Sequence, residues 1–366
     1  MASSTLIVDV TAWRQQQPFV DGPYACSGGT ADGFDALIVR VTAADGWEGF
    51  GEAAPLGAFY DAAFPGGMRA GVEVLAPALL GLASDRIGVV DRRLDEVLRG
   101  HPYAKSAIDM AVWDLACRRR GVALADALGG NAGPTDLYQV VGPEAADPAG
   151  RAADLVERGY RRLQVKVGRD PREDAERVRA VRAAVGAGIP LFADANAGYT
   201  TAAARRFIAA AAGVDLWFEQ PCATLAECAA IRGVCPWPLV LDESITSLAT
   251  LVDARGIADA ITIKLARVGG ITKAAGIRDA AVALGLHVTI EDTGGADIDT
   301  AAMAHLSAST PARLRLHTVD FNAWVTISNA AGMPAPQAGQ LAAPTGPGLG
   351  IAVDVASLGE PFLRCA

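Results

Sequence analysis

The spacing of hydrophobic residues predicts a mixed domain at the start of the chain. Apolar runs at residues 6–10 and 37–41 predict strands, and residues 44–46 predict a turn between strands. Over residues 66–128, apolar positions recur about every 3.6 residues, which is typical of helices. The helical segments cover residues 67–80, 87–99 and 104–120. We therefore expect an N-terminal α+β domain over residues 1–130.

From about residue 135, short apolar runs alternate with alanine-rich helical segments. The runs cover residues 137–141, 163–167, 191–193, 216–218, 239–241, 261–265, 287–290 and 314–317. The helical segments between them cover residues 148–158, 171–185, 200–212, 225–234, 248–255, 272–284 and 298–309. Eight short strands alternating with helices predict an α/β fold with a (β/α)8 barrel over residues 131–325. A doubly wound sheet is the competing layout, but no glycine-rich dinucleotide fingerprint follows the first run.

The C-terminal tail has a different composition, rich in glycine, proline and alanine. Residues 346–351 predict a turn that enters a final short strand. We expect the segment 326–366 to return to the N-terminal domain.

Composition and charge exclude several classes of protein. Apolar residues make up 51% of the chain and charged residues 20%, which is ordinary for a globular protein. The net charge of −9 and the absence of a basic stripe argue against a nucleic-acid partner. Neither a signal-peptide pattern nor a run of about 18 apolar residues occurs, so no membrane span is expected. The six cysteines are scattered without a C-x-x-C pair, which favours reduced thiols and a cytoplasmic location.

Five successive predicted strands each carry a charged residue near their C-terminal end. These residues are Lys166, Asp194, Glu219, Asp242 and Lys264. Neighbouring members of this series are 22 to 28 residues apart, which is close to one strand–helix unit. Because the C-terminal ends of barrel strands form one mouth, we expect all five side chains to meet there.

Three carboxylates flanked by two lysines predict a metal-assisted acid/base site. Buried like charges repel unless a cation lies among them, and oxygen ligands with open positions suit Mg²⁺. A nearby cation also disfavours a protonated lysine, so one amine can act as a base. The chain has only four lysines, at positions 105, 166, 264 and 273. A single acidic residue at a strand end is more often a helix N-cap or loop residue, but the phasing over three successive strands favours a site.

The motifs around these residues resemble the enolase superfamily, in its mandelate racemase and muconate lactonizing branch. The resemblance covers nearly the whole chain and lies in residues 104–109, 113–114, 166–168, 194–196, 218–221, 241–244 and 264–270. It implies a barrel with a capping domain and Mg²⁺-dependent removal of the proton next to a carboxylate on a small acid. The family is usually oligomeric, so the resemblance also implies a homo-oligomer.

The resemblance also implies roles for individual residues. Metal ligands would be Asp194, Glu219 and Asp242, and the acid/base pair on opposite faces of the substrate would be Lys166 and Lys264. Supporting groups behind them would be Asn196 and Glu243. Gln164 departs from the pattern, because many relatives carry a lysine there that touches the substrate carboxylate. Glutamine keeps a hydrogen bond but removes the charge, so the pKa of Lys166 must be tuned differently.

A finer resemblance is to family members that act on proline derivatives, the cis-3-hydroxy-L-proline dehydratases and the hydroxyproline betaine epimerases. It lies in residues 19–24, 100–105, 163–166 and 291–297. Residues 292–295 and 318–320 are more similar to the dehydratase. The resemblance implies dehydration of cis-3-hydroxy-L-proline, with racemisation or epimerisation of proline betaine or hydroxyproline betaine as the alternative.

Six residues in loops at the predicted mouth are candidates for substrate contact. A substrate ammonium favours a carboxylate, and a quaternary ammonium favours an aromatic cage. The candidates are Asp292, Thr293, Asp320, Tyr24, Tyr60 and Trp324. The alternative interpretation is loop capping for the carboxylates and packing for the aromatic rings. We expect the loops around Tyr24 and Tyr60 to close over the site.

Two rival functions remain open at this stage, and a third is disfavoured. Lys264 could form a Schiff base, as in barrel aldolases. A zinc hydrolase is disfavoured, because the chain has four histidines and no His-x-His pair. A non-enzymatic binding protein is the other open rival, and it would tolerate loss of the lysines.

Overall fold

The computed structural model of the chain describes residues 4–131 and 133–366. The N-terminal domain contains an antiparallel sheet whose strands are, in spatial order, Leu363–Cys365, Ile7–Pro18, Gly33–Ala43 and Glu48–Ala53. The strand Ile7–Pro18 pairs with the strand Gly33–Ala43, from Asp9 opposite Thr42 to Pro18 opposite Gly33. These strands are longer than the apolar runs because backbone pairing continues through polar residues.

Three helices cover one face of this sheet. They are Pro65–Leu75, which continues as a 3-10 turn over Ala76–Leu79, then Ile87–Val97 and Pro102–Arg120. The last of them packs so closely on the strand Glu48–Ala53 that the strand needs glycines. A Cβ atom on Gly51 would lie 2.0 Å from the carbonyl oxygen of Ala107. The glycines therefore determine how near this helix approaches the sheet.

The second domain is a parallel barrel. Its first seven strands, which neighbour one another in chain order, are Tyr138–Val141, Arg162–Lys166, Leu191–Asp194, Trp217–Glu219, Leu239–Leu241, Ala260–Lys264 and His287–Glu291. The helices that follow them are Pro148–Glu157, Pro171–Val185, Thr201–Ala210, Leu225–Arg232, Leu248–Asp253, Ile271–Ala283 and Asp297–Ala308. A short helix, Leu265–Val268, follows the sixth strand directly. The predicted (β/α)8 fold with a capping domain is confirmed.

The eighth strand differs from the prediction of a continuous strand over residues 314–317. Two parallel bridges close the barrel instead, one between Arg315 and Val288 and the other between Thr318 and Leu137. The backbone amides of Leu314 and Arg315 bond to the carbonyl of Pro311, so the segment begins inside a turn. A chain that turns cannot pair with both neighbours over the same residues.

Short elements complete the chain. They are the hairpin Tyr24–Ala25 with Thr30–Ala31, the pair Pro134–Asp136 with Gln340–Ala342, the pair Ala330–Ala331 with Ala352–Val353, the helix Leu124–Ala127, and the 3-10 turns Phe321–Ala323 and Val355–Leu358. The chain ends on the first sheet, while the domain boundaries at residues 130 and 325 stay predictions. All six cysteines are free thiols, and five are buried. In the part of the chain that the structure describes, no helix is both long and apolar enough to cross a membrane.

Candidate active site

Strand register brings the first three charged residues to one level of the barrel. Lys166 lies directly opposite Asp194, and Asp194 lies directly opposite Glu219. In a strand, side chains two residues apart point to the same side, so Gln164 joins Lys166 inside the barrel mouth. All four side chains are buried. The register therefore explains why charges that are about 25 residues apart in sequence meet in space.

Lys166 is held by two oxygen acceptors. Its Nζ atom lies 2.5 Å from Oδ2 of Asp194 and 3.1 Å from Oδ1 of Asn196. The amide nitrogen of the Asn196 side chain in turn donates to Oε1 of Glu243 at 3.1 Å. Burial by itself lowers the pKa of Lys166, but the charge and hydrogen bond of Asp194, together with Tyr24 and Glu219, outweigh it and raise that pKa well above its ordinary value.

The hydrogen-bond donors to Glu219 among the described residues are neutral side chains. Gln164 donates to its Oε2 atom at 2.9 Å, and Thr262 donates to its Oε1 atom at 3.0 Å. Burial, and after it the charge of Asp194, raises the pKa of Glu219 well above its ordinary value. Thr262 was not predicted, although it lies two residues before Lys264 and so points to the same side of the sixth strand.

Asp242 has cationic partners from the barrel and a phenol from the N-terminal domain. The guanidinium of Arg267 lies 2.5 Å from its Oδ1 atom, and Nζ of Lys264 lies 3.5 Å from Oδ2. The hydroxyl of Tyr60 donates to Oδ2 at 2.9 Å. Burial alone would raise the pKa of Asp242, but the charges of Arg267 and Lys264, together with the hydrogen bonds from Arg267 and Tyr60, outweigh it and lower that pKa. Sequence reasoning missed Arg267, although it lies within the motif that follows the sixth strand.

Glu291 is a third residue that the sequence analysis did not single out. It lies directly opposite Lys264, and its Oε2 atom is 2.6 Å from Nζ of that lysine. The predicted seventh strand ended one residue too early, at residue 290. The signal was the alternation of the strand, since Thr289 and Glu291 share the inward phase.

Five of the six predicted substrate-contact residues lie around one cavity together with both lysines. They are Tyr24, Tyr60, Asp292, Thr293 and Trp324. The rings of Tyr24 and Trp324 are 5.1 Å apart, and Lys166 Nζ lies 5.9 Å from the centre of the Tyr24 ring. Burial raises the pKa of Tyr24 to about 12. An aromatic wall next to an acid/base pair suits a substrate that carries a positive charge.

Asp320 lies outside the residues that line this cavity. Its carboxylate accepts a hydrogen bond from the backbone amide of Asn322 at 3.1 Å and so caps the 3-10 turn Phe321–Ala323. The placement matches the alternative of loop capping. Burial raises the pKa of Asp320 to about 6.

The donor set suits a divalent cation, although the three expected ligands do not converge on one point. Within residues 4–131 and 133–366, no three His, Cys, Asp or Glu side chains form a group that could hold a metal ion. Among the described residues the mouth nevertheless holds six carboxylates against three cations, namely Asp194, Glu219, Asp242, Glu243, Glu291 and Asp292 against Lys166, Lys264 and Arg267. The excess negative charge and the raised pKa of Glu219 are what a bound Mg²⁺ would offset.

Comparison with known proteins agrees with this architecture. The family model of the mandelate racemase/muconate lactonizing enzyme N-terminal domain matches residues 7–129, and the model described as enolase C-terminal domain-like matches residues 147–357. The chain belongs to the mandelate racemase/muconate lactonizing enzyme branch of the enolase superfamily. Members of this superfamily include lyases and isomerases, and the chain is an enzyme of this kind.

Individual relatives of this branch match almost the whole chain. A cis-3-hydroxy-L-proline dehydratase of Roseibium aggregatum is 40% identical, over 98% of this chain and 99% of its own length. An L-Ala-D/L-Glu epimerase of Bacillus subtilis is 30% identical, over 87% of this chain and 89% of its own. A crystal structure of an enolase superfamily member from Roseovarius nubinhibens complexed with magnesium is 34% identical, with a TM-score of 0.93 over 98% of this chain and 99% of its own.

Proposed function

We propose that this enzyme dehydrates cis-3-hydroxy-L-proline, and that Lys166 and Lys264 are its acid/base pair. The observation that carries the proposal is that both lysines line one cavity from the second and sixth strands of an eight-membered barrel. Strands that are four positions apart in such a barrel lie on opposite sides of it. The full-length similarity to a cis-3-hydroxy-L-proline dehydratase supports the choice of substrate.

The reaction breaks two bonds of the substrate and forms one double bond. One lysine amine takes the proton from Cα, and the electron pair of the broken Cα–H bond forms the Cα–Cβ double bond. The Cβ–O bond breaks as the opposite lysine protonates the departing hydroxyl, so that water leaves. The ring product is an enamine that tautomerises to an imine, and no oxidant or reductant is consumed. The substrate ammonium faces Asp292 and the aromatic rings of Tyr24 and Trp324.

Asp194, Glu219 and Asp242 would hold Mg²⁺ in this proposal. When bound, the cation supplies electrostatic stabilisation for the negative charge that develops on the substrate carboxylate. Asn196 orients Lys166, and Gln164 orients Glu219 through the hydrogen bonds described above. Gln164 leaves its carbonyl oxygen without a partner in the described residues, which suits a donor from the substrate.

Epimerisation at Cα is the second candidate. Two lysines on opposite sides of the cavity can remove a proton from one face and return it to the other, and several relatives are epimerases or racemases. A Schiff-base aldolase fits less well. The relatives that match most of the chain are a dehydratase, a cycloisomerase and epimerases or racemases, which remove the proton next to a carboxylate rather than form a Schiff base.

The test is ¹H NMR in D₂O of the purified enzyme with Mg²⁺ and cis-3-hydroxy-L-proline, with proline betaine and 4-hydroxyproline betaine in parallel samples. We expect loss of the hydroxylated ring and appearance of an imine, and we expect EDTA to stop the reaction. Deuterium at Cα in an intact ring would instead establish the epimerase. Trapping by borohydride with indifference to EDTA would contradict both and support a Schiff base.

A further inference from the structure

Three buried carboxylates meet where the N-terminal sheet contacts the barrel, outside the expected metal ligands. Glu52 comes from the strand Glu48–Ala53, Asp292 follows the seventh barrel strand, and Asp299 lies in the first turn of the helix Asp297–Ala308. Their exposed fractions are 0%, 1% and 0%. Among the described residues, no Lys, Arg or His forms an ion pair with any of them. Three uncompensated buried charges would be very costly, so at least one carboxyl must be neutral.

The hydrogen-bond donors around Glu52 identify it as an ionised member of the group. Its carboxylate accepts from the side-chain amides of Gln17 at 2.5 Å and Asn329 at 3.2 Å. It also accepts from the backbone amide of Asp299 at 3.0 Å. A carboxyl whose two oxygens both accept hydrogen bonds is best matched to those donors when it is ionised, because a carboxylate acts only as an acceptor.

Asp292 is also supplied with donors, and Asp299 is not. The two oxygens of Asp292 accept from the backbone amides of Ala266 and Thr293, each at 2.8 Å. Neither oxygen of Asp299 receives a hydrogen bond from any described donor. Burial, and after it the charges of Asp292 and Glu52, raises the pKa of Asp299 well above its ordinary value. The proton therefore belongs on Asp299, where it can be donated to Asp292.

We propose that Asp299 is a positioning residue whose carboxyl proton hydrogen-bonds Asp292 and thereby holds Asp292 as the fixed negative charge that receives a substrate ammonium. Asp292 lines the cavity, whereas Asp299 is not among the residues that line it. The two backbone amides and the acid of Asp299 together fix the direction of the Asp292 carboxylate. Asp299 thus selects substrates that carry a cationic nitrogen. This role rests on the proposed function only in the identity of the substrate.

The first test detects the proton itself and needs no substrate. The infrared difference spectrum of wild type minus Asp299→Asn, recorded at about pH 8 where exposed carboxyls are ionised, should contain the carbonyl band of a protonated carboxylic acid. A spectrum without that band would overturn the proposal. Failure of the dehydratase assignment would leave this band unchanged, so the two hypotheses fail separately.

The second test separates positioning from a merely structural role. Asparagine at position 299 can still donate a hydrogen bond, so Asp299→Asn should keep the KM for the cationic substrate within about twofold. Leucine cannot donate, so Asp299→Leu should raise KM about tenfold or more with little change in kcat, as expected for one hydrogen bond to a charged group. Equal KM increases in the two variants would contradict the proposal. If Asp299→Leu fails to fold, the infrared band and the KM of Asp299→Asn still decide.

Discussion

Single residues at the barrel mouth are held by ion pairs between neighbouring strands. Lys166 reaches Asp194 on the third strand, and Lys264 reaches Glu291 on the seventh. Each lysine therefore has a fixed position before any substrate arrives. Fixed positions matter because general-base catalysis depends on the distance between the amine and the substrate proton.

Replacement of either lysine by alanine should remove turnover without removing metal binding. General acid/base groups contribute typically 10²- to 10⁴-fold, so we expect Lys166→Ala and Lys264→Ala each to lower kcat by about 10³-fold or more. Mg²⁺ binding, measured by calorimetry, should persist because the expected carboxylate ligands are intact. Lys273→Ala is the matched control, because Lys273 pairs with Asp91 and Asp95 away from the cavity. Activity retained in both active-site variants would exclude the two-base assignment.

One loop of the N-terminal domain is tied to the barrel mouth by a buried chain of polar contacts. Asp61 lies 3.0 Å from Arg267 and accepts a hydrogen bond from Tyr103 at 2.5 Å. The neighbouring Tyr60 donates to Asp242, and its ring lies 5.3 Å from Lys264 Nζ and 5.5 Å from the Arg267 guanidinium. The position of this loop is thus coupled to the barrel side chains that form the site.

Loss of the Arg267 charge should destabilise this connection strongly. The Arg267 side chain is 3% exposed, and it forms ion pairs with both Asp61 and Asp242. Arg267→Met would leave Asp61 without its cation and Asp242 with Lys264 alone, at 3.5 Å, so we expect the free energy of unfolding in urea with EDTA to fall by about 3–5 kcal/mol. Arg93→Ala removes an exposed pair with Glu96 and should change it by less than about 1 kcal/mol. Equal effects of the two substitutions would disprove the proposed coupling.

The two domains and the C-terminal tail are joined at the scale of the whole molecule by His305. Its Nδ1 atom accepts from the backbone amide of Ala125 at 3.1 Å, and its Nε2 atom is 3.1 Å from the carbonyl oxygen of Leu349. This arrangement requires a neutral ring with the proton on Nε2. Burial lowers the pKa of His305 to about 4.

The neutral His305 predicts a loss of stability in mild acid. Its folded pKa is below the value of about 6.5 for an exposed histidine, so the unfolded chain binds more protons between the two values. The stabilisation is fully present above pH 6.5 and is lost as the pH falls toward 4, by up to about 3 kcal/mol. His305→Gln should therefore show a smaller decrease in unfolding free energy between about pH 7 and 5 than wild type. His101→Asn, at an exposed histidine, should match wild type, and a wild-type slope in His305→Gln would contradict the prediction.

Much of the site could be predicted because charged residues recur at a regular interval in the sequence, at the ends of successive strands. Lys166, Asp194 and Glu219 each end a short apolar run, and the strand ends of a barrel share one mouth. Glu291 and Arg267 were missed for a different reason. Glu291 ends a strand and is followed directly by Asp292, and Arg267 lies in the short helix after the sixth strand, so only the packed structure shows which partner each side chain reaches.

The sequence by itself determined the order of strands and helices, the barrel with its N-terminal domain, and the ring of charged strand ends, because these depend on local periodicity and chain order. Only the tertiary structure decided which groups are partners: Lys264 with Glu291, and Arg267 with both Asp61 and Asp242. These pairings join residues from 25 to 206 positions apart in the chain. Their energies depend on burial and on the number of nearby donors, and both quantities exist only after the chain has packed.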